Sequence, residues 1–205
     1  MSPVGQDLGG RIVLVTGAGR GLGRAVALAA GAAGAHLVLV ARTQGALEEL
    51  DDLLRGQGCE APTLAPLDIT DGAAVDGLGA AIMERFGRLD GWVHTAAELG
   101  ILTPVSHLKP EVLARVSALS IAATHRLIRS LDLPLRQSGG ARVVVATCRA
   151  GRPARPYWAA FAAPRAAMEA LALAYAAENA NAGLCLNLFD PGPLRTRLRA
   201  EAYPG

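Results

Sequence analysis

Lysine is almost missing from this chain: Lys109 is the only one, and every other basic side chain is an arginine. Aromatic residues are scarce too, at 4% against 51% hydrophobic overall, so the core must be filled by alanine, valine and leucine. The three cysteines, Cys59, Cys148 and Cys185, have no paired spacing. That excludes a disulfide framework or a cysteine zinc site, and no metal is expected. No segment approaches the roughly eighteen apolar residues of a membrane span, and the N-terminus lacks a charged region followed by a long apolar run. A cytoplasmic protein with no membrane partner is the expectation. Charge of one sign is not in excess either, since the formal net charge is +2. This is too near neutral to argue for nucleic acid or an anionic surface.

The 205 residues suffice for one domain with a substantial core. Short β-branched runs alternate with longer Ala/Leu-rich stretches. Residues 11–16 are nearly continuously apolar, as expected of a parallel strand buried on both faces. Further strands are expected at 36–40, 62–67, 91–95, 141–147 and 183–189. Helices are expected after the first strand to about Ala33, from a Thr43 cap through Leu54, up to Phe86, from Pro110 to about Leu133, and from about Tyr157 to Asn179. No composition break or linker interrupts the alternation. The pattern predicts a single doubly wound, Rossmann-like α/β domain over residues 1–205, a parallel sheet with helices on both faces.

Thr16-Gly17-Ala18-Gly19-Arg20-Gly21-Leu22-Gly23 follows the first strand and opens a helix. Pyrophosphate binding needs this arrangement: Gly17 permits the tight turn, Gly21 lets the backbone approach the phosphates, and Gly23 allows close helix–strand packing. The helix N-terminus then supplies oriented N–H groups and positive potential. Thr-Gly-x-x-x-Gly-x-Gly resembles the classical short-chain dehydrogenase/reductase family, and the likeness runs along the whole chain. Asp68, with Ile69 beside it, matches the position that holds the adenine. His94-Thr95-Ala96-Ala97 stands where that family has Asn-Asn-Ala-Gly, and Ala96 belongs to the expected cofactor wall along with Leu22 of the glycine loop. Pro191-Gly192 and Thr196 match the Pro-Gly turn and the threonine that contacts the nicotinamide amide. An acidic residue at the end of the second strand would bind ribose hydroxyls and repel a 2′-phosphate; here Ala41 and Arg42 stand there. Arg42 with Arg20 forms a potential clamp on that phosphate, which favours NADP(H) over NAD(H).

The resemblance implies a different outcome for the chemistry. The family delivers a proton from a Tyr whose pKa is lowered by a Lys four residues on, with a Ser orienting the substrate and an Asn maintaining a water. Aligned on the fifth strand, Phe161 stands at the Tyr, Arg165 at the Lys and Cys148 at the Ser, while the Asn falls near Leu119 or Ser120. Phe161 has no proton to give, and a positioned general acid contributes about 10²–10⁴-fold. Arg165 keeps a charge able to reach ribose hydroxyls but spreads it over a broad fork, and the Cys148 thiol is a weak donor. Tyr157, one helical turn before Phe161, is the candidate substitute donor. Glu98 reads as a solvated loop carboxylate. Arg149, Arg152 and Arg155 form a basic loop, either solvated or able to attract an anion.

The helices at 110–134 and 157–179 are apolar over more than one face, which argues for a homodimer, a homotetramer or pairing with an active relative. The family pattern continues to a seventh strand, whereas this sequence stops at Gly205. Three readings are open: an NADP(H)-binding homologue with impaired catalysis, an active NADPH-dependent reductase with a non-standard proton donor, and a structural partner subunit.

Overall fold

The computed structural model describes residues 7–148 and 155–204. Six strands form one parallel sheet: β1 (Ile12–Thr16), β2 (His36–Ala41), β3 (Thr63–Pro66), β4 (Gly91–His94), β5 (Arg142–Ala146) and β6 (Cys185–Phe189), in the order β3-β2-β1-β4-β5-β6. The chain therefore winds outward from β1 in both directions, and the switch falls between β1 and β4, where a crevice opens at the carboxyl ends of the strands. Val15 lies opposite Leu39 on one side and Val93 on the other. Because side chains alternate across a strand, the apolar runs feed two separate cores.

Val13, Val15, Leu37 and Leu39 meet α1 (Gly21–Ala32) and α2 (Gln44–Gly56) through Ala27, Leu47, Leu50 and Leu54. Leu14, Val38, Val40, Trp92, Val143 and Val145 point the other way. There they pack on α3 (Gly72–Phe86), α5 (Ala123–Gln137) and α6 (Ala159–Glu178). The doubly wound architecture read from the sequence is the one observed. Among the described residues, no helix is long and apolar enough to cross a membrane.

Several boundaries differ from expectation. The helix starting at Pro110 is not uniform: α4 (Pro110–Ser117) passes through a π segment, Ala118–Ala122, into α5. It also runs past the expected end at Leu133 and through Pro134 to Gln137, because Leu131, Pro134 and Leu135 continue its buried stripe. α6 starts at Ala159, since Tyr157 adopts a left-handed φ of 75° that no helix continues. Thr43 does occupy the N-cap of α2, yet its side chain makes no capping bond. Asp71 caps α3, accepting from Ala73 N at 3.0 Å and Ala74 N at 3.3 Å. The expected basic loop falls largely outside the described residues, at Arg149 and Arg152.

One polar group sits in the middle of this aliphatic interior. His94, 1% exposed at the end of β4, places Nδ1 2.7 Å from Thr16 Oγ1 on β1 and Nε2 3.1 Å from Thr124 Oγ1 on α5. A neutral imidazole has one donor and one acceptor nitrogen, so two hydroxyls satisfy it without a charge. Burial, with the nearby Arg165 charge, lowers its pKa to about 3. In the unfolded chain the same group titrates near 6.5. As pH falls below that value the unfolded state binds a proton that the native state refuses, so stability is lost on acidification. Denaturant titrations should show about 2 kcal/mol less stability at pH 5 than at pH 7 from this group. His94→Asn should flatten that slope, and an unchanged slope would show that His94 does not control it.

Candidate cofactor cleft and active site

The floor of the crevice is built where β1 turns into α1. Gly17 has φ 85° and its N–H reaches Val40 O at 2.9 Å, while Ala18 N shares that carbonyl at 3.0 Å. A Cβ on Gly17 would lie 2.8 Å from Ala96 N and 2.8 Å from Thr95 Oγ1. One on Gly23 would lie 2.2 Å from Gly17 O, a backbone clash that no rotamer relieves. Thr95 fastens this contact by donating its hydroxyl to Thr16 O at 2.9 Å. The N-cap residue of α1, Arg20, makes no side-chain cap, and the first turn holds no acid. The N–H groups opening α1 are thus left for an external anion. A tight glycine cradle against an uncapped helix N-terminus fits a dinucleotide pyrophosphate.

A cleft of about 500 Å³ extends from this floor. It brings together every residue expected to touch a dinucleotide: Gly17, Arg20, Gly21, Leu22 and Gly23 from the loop, Arg42 from the end of β2, and Asp68 and Ile69 after β3. Ala96 after β4 and Pro191, Gly192 and Thr196 after β6 complete the lining. Arg20 and Arg42 are both exposed, and neither has an ion-pair partner among the described residues. Asp68 accepts from Thr70 N at 2.9 Å and Thr70 Oγ1 at 2.8 Å, which holds the turn after β3 in shape.

The same cleft reaches the positions compared above with the catalytic residues. Cys148, just beyond β5, and Phe161 and Arg165, one turn apart on α6, all line it. Phe161 is 2% exposed, edge-on to Trp158 with ring centroids 6.0 Å apart. Arg165 is 5% exposed, and its Nη2 donates to Ala146 O while Nε is buried without a partner. Burial pushes the Arg165 pKa down, opposed by the charge of Glu169 and then by Cys148. Its guanidinium carbon lies 6.0 Å from the Phe161 ring centre.

Tyr157 does not share that face. It lies before α6 with its side chain 56% exposed, outside the cleft lining, and its carbonyl accepts from Thr103 N at 3.1 Å. In the π segment Leu119 lines the cleft, and Ser120 is buried with Oγ unpaired. Glu98 is not a free carboxylate, since it pairs with Arg115 at 2.6 Å.

Some residues were not singled out by sequence reasoning. α7 (Arg197–Ala202) roofs the inner end: Ala202 and Leu198 pack with Leu99, Trp158, Phe161 and Cys148. Tyr203 follows, its hydroxyl 2.5 Å from Arg155 Nη1. Thr196 caps α7, accepting from Arg199 N at 3.3 Å, and its methyl would meet a Cβ on Gly21 at 3.3 Å. Thr147, 6% exposed and lining the cleft, donates its hydroxyl to Glu169. The spacing Phe161, Arg165, Glu169 was the available signal for that last pair, because it puts Glu169 on the face that carries the other two.

Comparison with known proteins agrees with this architecture. The oxidoreductase YciK of Escherichia coli is 32% identical over 97% of this chain and 80% of its own length. A short chain dehydrogenase from Pseudomonas syringae superposes with a TM-score of 0.93 at 35% identity, covering 97% of this chain and 81% of that one. A Shigella flexneri short chain dehydrogenase solved in complex with NADP gives 0.92 at 32% identity, covering 97% and 84%. The sequence pattern of the short chain dehydrogenase family matches residues 11–205, the span that carries both the glycine cradle and the inner end of the cleft. By that match and those likenesses, the chain belongs to the short chain dehydrogenase family.

Proposed function

We propose that this chain binds NADP(H) and is impaired in the tyrosine-dependent carbonyl reduction of its relatives. The observation that carries the reading is the contrast inside one cleft: an intact glycine cradle at one end, and Phe161, Arg165 and Cys148 at the other. A buried phenyl ring cannot protonate an alkoxide, and the guanidinium beside it is committed to Ala146 O. Arg42 and Arg20 support the phosphorylated cofactor, as does the NADP complex of the Shigella flexneri relative.

Assembly is part of the proposal. α6 leaves Ala163, Ala166, Ala167, Ala170 and Leu173 exposed on one side, a smooth apolar face suited to close helix packing against a second copy.

NADPH fluorescence should report saturable binding, and Arg42→Glu should weaken it by about 10–100-fold while barely changing NADH. No binding at millimolar cofactor would leave only a structural role. In NADPH oxidation over a panel of ketones and aldehydes near neutral pH, the Phe161→Tyr/Arg165→Lys variant should exceed the natural chain by about 10²-fold or more. Robust reduction by the natural chain that Tyr157→Phe abolishes would overturn the impairment. Leu173→Glu should lower the sedimenting mass without unfolding the protein, and an unchanged mass would remove that helix face as the interface.

A further inference from the structure

The inner end of the cleft holds a hydroxyl whose proton already has somewhere to go. Hydroxyls lining the cleft are engaged in different ways. Thr95 donates to a backbone carbonyl, Thr16 O, which cannot carry a proton away. Thr196 accepts from Arg199 N, and Tyr203 is held by Arg155 at the rim. Thr147 alone among these donates to a carboxylate, Glu169, on the helix that also carries Phe161 and Arg165. A threonine hydroxyl has one donor proton and two acceptor lone pairs. With its proton directed at Glu169, a lone pair remains to accept a proton from a ligand in the cleft. The neighbouring Cys148 thiol is a weaker partner on both counts, and the Arg165 charge interacts with both Glu169 and that thiol.

We propose that Thr147 is a catalytic residue and Glu169 the proton acceptor behind it, in the oxidation of a secondary alcohol; this rests on the NADP(H)-binding reading above. NADP⁺, when bound, supplies the acceptor for the hydride. The alcohol O–H proton moves to Thr147 Oγ1 as the Thr147 proton moves to Glu169 Oε1. The hydride leaves the carbinol carbon for the nicotinamide, and the O–H electron pair closes the C=O bond. The ketone departs, and Glu169 returns its proton to solvent. The apolar wall of Leu119, Trp158, Phe161, Leu198 and Ala202 selects an alcohol with a hydrocarbon or aryl body over a polyol.

The test uses the full chain with NADP⁺ and cyclohexanol, propan-2-ol or 1-phenylethanol over roughly pH 6–9. NADPH formation should be detectable. Thr147→Val should lower kcat by about 10²-fold or more with NADPH affinity unchanged, Thr147→Ser should keep it, and Glu169→Gln should lower it. Infrared difference spectra of the cofactor-free protein give a second readout. A carboxylate band lost in Glu169→Gln should shift in Thr147→Val, as the hydrogen bond is removed. Equal turnover by Thr147→Val and the natural chain overturns the proposal. So does absence of turnover in a protein that binds NADPH by fluorescence, or a carboxylate band indifferent to Thr147. If Thr147→Val does not fold, Glu169→Gln decides on the same criteria. Failure to bind NADPH overturns the underlying reading instead, and is told apart by the fluorescence alone.

Discussion

The first turn of α1 lies against the end of β1 so closely that no side chain fits between them. A methyl group on Gly23 would come within 2.2 Å of the Gly17 carbonyl, and Thr95 locks the same backbone from β4. This contact sets where the open N–H groups of α1 point, and thereby where an anion can sit. The rest of the cleft is arranged around that fixed floor: Arg42 comes in from β2, Asp68 from β3, and the Pro191–Thr196 stretch from β6. Behind the floor, the buried His94 bridge ties β1 and β4 to α5, so the switch point of the sheet is braced by hydroxyls and a neutral ring rather than by charge.

The inner end of the cleft is supported by other elements. Its groups come from β5 and α6, which pack on one another and on the π segment, and none of them holds the glycine loop in place. The two ends of the cleft are therefore held by different elements. Phe161 joins a small aromatic and aliphatic cluster that closes around its ring. Arg165 turns its charge toward Ala146 O and Glu169. Its orphaned Nε is the local cost of fitting a broad fork into a space bounded by sheet and ring.

Much of this was legible in the chain. Continuous apolar runs mark parallel strands whatever their neighbours, and the glycine spacing is dictated by backbone contacts that any sequence of this kind must make. The cleft accordingly gathers all four glycines of the loop, Arg20 and Leu22, and every partner expected from the other strand ends. The failures are local. Tyr157 counts as one turn before Phe161 on a helical wheel, but the helix starts two residues later and a left-handed φ turns the ring out to solvent. Pro134 suggests a helix end, yet the buried stripe around it outweighs the one lost backbone bond. The π segment carries no composition signal, and it decides that Leu119 rather than Ser120 faces the cleft. Spacing puts Glu169 on the face of Phe161 and Arg165, but its pairing with Thr147 comes from packing between elements.

Thr196 belongs to two structures at once. Its hydroxyl starts α7, and its methyl rests over Gly21 in the phosphate loop. Floor and roof are therefore not separate moving parts, and whatever orders one lowers the entropy left to lose in the other. A ligand settling on the glycine loop would stiffen a helix it need not touch. Exchange protection of the α7 amides thus becomes a remote gauge of occupancy at the loop.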